Sequence, residues 1–197
     1  MFIPNIDKYS IILASQSPRR HHLLKEIGID FKVIKKSYGD ENFPANLMRE
    51  QIALFLAEHK ASFFNGEIKE NEIVITADTI VWLNNEVLNK PLDFNDAVFM
   101  LEKLSGNCHQ VYTGVCIKSK EKARSFYAVS DVFFRKLTTE EIHFYVENYK
   151  PYDKAGAYGI QEWIGYVGVE KINGSFFNVM GLPIQKVYLE LNKFINN

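Results

Sequence analysis

The sequence predicts an α/β fold built on a mixed, twisted β-sheet with flanking helices. Three observations point there. Strand-length apolar runs alternate with amphipathic stretches early in the chain. Residues 11–13, Ile-Ile-Leu, read as a strand buried on both faces, directly before a helix. Residues 109–118 and 124–135 are rich in β-branched and aromatic side chains and read as a long hairpin, which a purely parallel sheet would lack.

The elements follow in order. After 11–13 comes a polar turn, Ser15, Gln16 and Ser17. Pro18 suits a first helical position, with Ser17 as N-cap. Leu23, Leu24 and Ile27 give that helix an apolar stripe, and Gly28 is a natural stop. Residues 31–34 read as a second strand, and 35–45 as a polar loop carrying Asp40 and Glu41. Over 46–63, Leu47, Ile52, Leu54, Phe55, Leu56 and Ala57 fit an amphipathic helix with Lys60 near its end. Residues 73–76 and 80–83 are strand-like runs interrupted by Asp78-Thr79. Asn84-Asn85 can take the positive φ of a tight turn, so 86–88 return and deliver Lys90 beside Asp78. Ala97, Met100, Leu101 and Leu104 mark a helix over 93–104, ended by Gly106. The hairpin turns at the charged residues 119–122. Thr138 and Glu141 form a capping box that opens a helix running to about Tyr149, before Pro151. Residues 167–172 read as a strand and Asn173-Gly174 as a turn. Gly181-Leu182-Pro183 leads into a last helix with Val187, Leu191 and Phe194 on one face. With no repeat, low-complexity tract or linker, residues 1–197 read as a single domain.

Composition bounds the function. An apolar share of 47% with 24% charged residues is ordinary for a soluble globular chain. A net charge of −1 and a pI near 6.5 lack the cation excess of a general nucleic-acid binder, though one phosphate pocket remains open. There is no basic n-region before an apolar stretch and no segment near the ~20 apolar residues of a membrane span. The expectation is a cytoplasmic protein with no membrane and no nucleic-acid partner. Cys108 and Cys116 fit no zinc or redox spacing and read as buried apolar residues. His109 and His143 lack partners at metal spacing and read as structural. No GxxxxGK[ST] or GxGxxG motif is present.

Polar islands in apolar surroundings carry the chemistry. Arg19 and Arg20 fall in the first turn of a helix, the wrong end for a cation by the helix dipole. They are either solvated or converge with backbone N–H groups and hydroxyls on an anion such as a phosphate chain. Asp78, between apolar runs, is costly unless paired, metal-bound or facing a cleft. Residues 153–161 form a second island, where Gly156 and Gly159 suggest close backbone approach. There Lys154 can pair with Asp153 or face phosphates, and the Gln161 amide can read a base edge.

These stretches carry a resemblance. Leu-Ala-Ser-x-Ser-Pro-Arg-Arg-x-x-Leu-Leu at 13–24 resembles the opening signature of the Maf family of nucleoside triphosphate pyrophosphatases. Ala77-Asp78-Thr79 with Lys90-Pro91, Leu104-Ser105-Gly106 with His109 and Thr113-Gly114, and the 153–161 island follow in the family's order. Asn173-Gly174-Ser175 and Gly181-Leu182-Pro183 complete the pattern, so the resemblance spans about 11–185.

The resemblance implies an elongated two-lobed fold with a central cleft, related to the inosine triphosphatase architecture. It implies hydrolysis of a nucleoside triphosphate to the monophosphate and pyrophosphate, with a divalent cation, Mg²⁺ or Mn²⁺, as cofactor. It makes Asp78 the proton acceptor and a metal ligand, with Glu41 or Asp40 beside it. Ser15, Arg19, Arg20, Lys60, Lys90 and Lys154 become phosphate ligands. Arg19, Thr79 and Gln161 match the positions at which the family's branches differ, and this combination resembles the branch acting on dTTP and UTP. The alternatives are a non-catalytic nucleotide-binding regulator of septum formation and a pyrophosphatase preferring 7-methyl-GTP. The family also includes homodimers.

Overall fold

The computed structural model describes residues 3–39 and 42–197. Its strands are β1 (Ser10–Leu13), β2 (Phe31–Val33), β3 (Glu72–Leu83), β4 (Glu86–Leu88), β5 (Cys108–Lys118), β6 (Ala123–Phe134) and β7 (Val169–Asn173). Its helices are α1 (Pro18–Glu26), α2 (Glu50–Ser62), α3 (Phe94–Leu104), α4 (Thr139–Tyr149), α5 (Trp163–Gly168), α6 (Phe176–Val179) and α7 (Ile184–Asn196). The strands join in one seven-stranded sheet, ordered β2-β1-β3-β5-β6-β7, with β4 on β3. β1 pairs in parallel with β2 and β3, setting Ile11 against Phe31 and Ile73. β4 on β3 and β7 on β6 are antiparallel, so the sheet is mixed, as expected.

The chain gathers into two compact units. The first holds Met1–Asp78, Thr113–Ala128 and Gly181–Asn197; the second holds Thr79–Tyr112 and Val129–Met180. In the first, Ile12, Ala14, Phe64, Ile68 and Val74 cluster in the core, and Ala57 and Ala61 of α2 pack with Cys116. α2 is seated closely. The Thr76 hydroxyl donates to the Ala57 carbonyl at 2.7 Å, and a Cβ on Gly114 would lie 2.2 Å from the Ala53 carbonyl oxygen. Only glycine lets β5 come so near the helix backbone.

In the second unit, α3 packs against α4 and against a 3₁₀ turn at Ala155–Ala157. Asp93 caps α3 by accepting the Asp96 N–H at 2.9 Å. Thr138 and Glu141 close the expected capping box of α4. Arg135 grips Glu141 with two N–H groups, at 2.9 and 2.7 Å. That grip, with the Thr138 N–H, holds the Glu141 carboxyl down at about 2.

Several expectations change. β3 runs unbroken through Asp78-Thr79, because a charged residue does not interrupt a strand when its charge finds a partner. α2 begins at Glu50 instead of 46, after Arg49 with φ 51° turns the chain. Residues 163–168 form α5 before β7 starts at Val169; two glycines and six residues leave no readable helical period. Cys116 is buried as expected, but Cys108, the first residue of β5, is exposed. Asn84 and Asn85 do take positive φ, 49° and 66°, and Lys150 ends α4 at φ 45°.

Candidate functional site

In the first unit, α1 and β3 bring the sequence's polar residues together. β1 ends at Leu13, and Ser15 is buried with its Oγ accepting the Ser17 N–H at 3.2 Å. Ser17 caps α1 by accepting the Arg20 N–H. Arg20 then turns its guanidinium onto backbone. Nε donates to the Gly181 carbonyl and Nη1 to the Ala77 carbonyl, each at 2.7 Å. Arg20 thus tethers the residue before Asp78. Arg19, in the same first turn, is half-buried.

Lys60 comes from the last turn of α2 and Asp78 from β3, and both are buried, at 7% and 8% exposure. The Lys60 ammonium donates to Asp78 Oδ1. Two charges removed from water together are far less costly than either alone. The structure therefore joins two residues that sequence reasoning treated separately. It also adds Tyr38. Its ring lies under the Lys60 ammonium, 5.8 Å to the centroid, and its hydroxyl donates to the Ala14 carbonyl at 3.2 Å. Burial raises the Tyr38 phenol's pKa, with the Arg20 charge opposing. Its aromatic ring within a polar loop was the only signal for it in the sequence.

In the second unit, Thr79 is half-buried on β3, and Lys90 is exposed two residues beyond β4. The Asn89 carbonyl accepts the Gly156 N–H at 3.1 Å, tying the Lys90 segment to the 155–157 turn. Gly156 has φ 68° there, a conformation that glycine adopts without strain. Lys154 is buried, with its ammonium 2.6 Å from Asp153 Oδ1 and 3.1 Å from Glu162 Oε1. The pairing with Asp153 is met, and Glu162, which the sequence reading missed, is a second partner. Gln161 is exposed.

His109 lies beneath this island, 1% exposed, with Nε2 at 2.8 Å from the Tyr158 hydroxyl. It is structural, as expected. Burial lowers its pKa from 6.5 to about 3, so the ring folds neutral. A depressed folded-state value gives stability above the unfolded pKa that is lost as pH falls. The protein is expected to weaken as pH drops from 6.5 towards 3. His109→Gln should flatten that slope in urea melts at several pH values; parallel slopes would rule the cause out.

Asp40 and Glu41 lie outside the described residues. Among the described residues no group of three His, Cys, Asp or Glu could hold a metal ion. Mg²⁺ is often bound by one or two carboxylates, with phosphate oxygens and water completing its shell. Asp78 would supply one carboxylate to such a donor set.

The family model for Maf-like proteins matches residues 10–194. The chain belongs to that family. Among curated relatives, the dTTP/UTP pyrophosphatase of Bacteroides thetaiotaomicron is 53% identical over 189 residues, covering 96% of this chain and 98% of that protein. The dTTP/UTP pyrophosphatase of Parabacteroides distasonis is 52% identical over 192 residues, covering 98% and 100%. Among solved structures, the Staphylococcus aureus Ham1 protein is 19% identical with a TM-score of 0.41, covering 64% of this chain and 71% of that one. Among the described residues, no helix is long and apolar enough to cross a membrane.

Proposed function

We propose that this chain is a nucleoside triphosphate pyrophosphatase that hydrolyses dTTP and UTP to the monophosphate and pyrophosphate. Identity above 50% over nearly the full length to proteins named dTTP/UTP pyrophosphatase carries the reading. The buried Lys60–Asp78 pair supports it from the geometry.

Water attacks the α-phosphorus, and the bond from it to the α–β bridging oxygen breaks. The electron pair leaves with pyrophosphate. Asp78 takes the proton from water; Lys60 holds Oδ1, and Oδ2 is a second acceptor. Arg20 keeps β3 in place at Ala77. Ser15, Arg19, Arg20, Lys60, Lys90 and Lys154 are the phosphate-binding set, in which arginine offers a fork and lysine a point charge. Asp78, with Glu41, would hold the divalent cation. When bound, Mg²⁺ or Mn²⁺ neutralises charge on the phosphate oxygens. Charge stabilisation of this kind is the larger share of catalysis in phosphoryl transfer.

Arg19, Thr79 and Gln161 set the choice of base in this reading. A hydroxyl and an amide suit the O2, N3–H and O4 edge of uracil or thymine. The thymine methyl shifts affinity by no more than about 1–3 kcal/mol, so both bases are accepted. Cytosine places an amino donor where O4 accepts, a mismatch of roughly 1–3 kcal/mol when buried. The kcat/KM values should rank dTTP and UTP above CTP, with ATP, GTP and 7-methyl-GTP poor. The products should be monophosphate and pyrophosphate, and excess EDTA should stop release. Stepwise loss of single phosphates, or a preference for 7-methyl-GTP, would overturn the reading. A homodimer belongs to the same proposal, supported by the family resemblance alone and checked by sedimentation.

A further inference from the structure

The 153–162 segment is locked from below by two residues that the proposed chemistry does not use. Tyr145, 0% exposed on α4, accepts the Gly159 N–H at 2.9 Å through its hydroxyl and donates to Glu162 Oε2. The other carboxylate oxygen of Glu162, Oε1, lies 3.1 Å from the buried Lys154 ammonium. One carboxylate thus joins a phenol to a lysine. Burial and Glu162 push the Tyr145 phenol's pKa far above its ordinary value, so it stays a donor.

The backbone is shaped around this lock. A Cβ on Gly159 would lie 2.6 Å from the Glu162 carboxyl carbon, so only glycine leaves room for that carboxylate. On the far side, the Glu162 carbonyl accepts the Gly165 and Tyr166 N–H groups at 2.9 and 3.2 Å and starts α5. A Cβ on Gly165 would lie 2.1 Å from the Ile160 carbonyl oxygen. Of the neighbours of Gln161, Ile160 is buried and Glu162 is held by Tyr145 and Lys154, while Gln161 itself is exposed. A rigid mount under an exposed amide is what base selection needs, because an amide free to rotate offers donor and acceptor alike.

We propose that Tyr145 and Glu162 are positioning residues, which hold Lys154 for the phosphates and Gln161 for the base. The inference rests on the pyrophosphatase reading above. The test measures kcat and KM for UTP, dTTP and CTP, with amide exchange at Gly159, in wild type, Tyr145→Phe, Glu162→Gln and Glu162→Ala. Tyr145→Phe is expected to raise KM for UTP and to lower the UTP-to-CTP ratio of kcat/KM by about tenfold, with faster exchange at Gly159. Glu162→Ala should do the same. Glu162→Gln should keep most of the selectivity, since its oxygen can accept from Lys154 while its amide donates to Tyr145. A selective wild type whose Tyr145→Phe variant is equally selective overturns this inference alone, whatever Gly159 exchange shows. A wild type that turns over none of the three brings down the pyrophosphatase reading, and this inference with it.

Discussion

Asp78→Asn is expected to lower kcat by at least roughly 10²–10⁴, the usual share of a general base, while the protein stays folded. The change keeps the side chain's size and leaves an oxygen for the Lys60 ammonium. It removes the negative charge, however, from a partner that is only 7% exposed. Breaking a buried ion pair on one side costs about 3–5 kcal/mol, so the change also weakens the fold. The double variant Asp78→Asn with Lys60→Met separates the two effects. It removes both charges, so stability should recover while turnover stays low. Circular dichroism melts and product assays on the same samples read this. Near-normal turnover in folded Asp78→Asn would show that this carboxylate is not the base.

Gly114→Ala should be the most damaging single-methyl change in the first unit. The added carbon would sit 2.2 Å from the Ala53 carbonyl oxygen, 2.4 Å from its carbon and 2.6 Å from the Leu54 nitrogen. All three are backbone, so no rotamer can give way and α2 must shift bodily. Overpacking of a core costs about 1–3 kcal/mol and more where the backbone must move. For a chain of this size, ~3 kcal/mol corresponds to a fall of roughly 6–12 °C in Tm. Turnover should fall too, because α2 carries Lys60. A melting point within a degree of wild type would mean that α2 is not seated on β5 in this way.

Much of this was legible in the chain. The Ser17 cap, the Asn84-Asn85 turn and the Thr138–Glu141 box are local devices whose chemistry lies within a few residues, and each forms as read, while the strands read over 109–118 and 124–135 form within a residue at each end. What escaped depends on partners distant in sequence. Nothing near Lys60 says that its ammonium will meet a carboxylate 18 positions on. Nothing near Glu162 says that it will accept from Tyr145 on α4. The Asp78 interruption was misread for the same reason: a pattern of hydrophobicity registers a charge but not the charge that answers it. Nothing near Arg20 says that its guanidinium will donate to the carbonyls of Ala77 and Gly181.

The neighbours of Lys154 have a kinetic consequence. The Lys154 ammonium lies between two carboxylates, those of Asp153 and Glu162, which offset its charge. Seen from beyond a Debye length, about 8 Å in physiological salt, it exerts no pull on an incoming polyanion. Lys154 can then act only after arrival, at contact distance. Removing it should speed departure of a bound triphosphate and leave the rate of encounter, and that rate's dependence on salt, almost untouched. Long-range capture falls instead to cations not hemmed in by carboxylates on both sides.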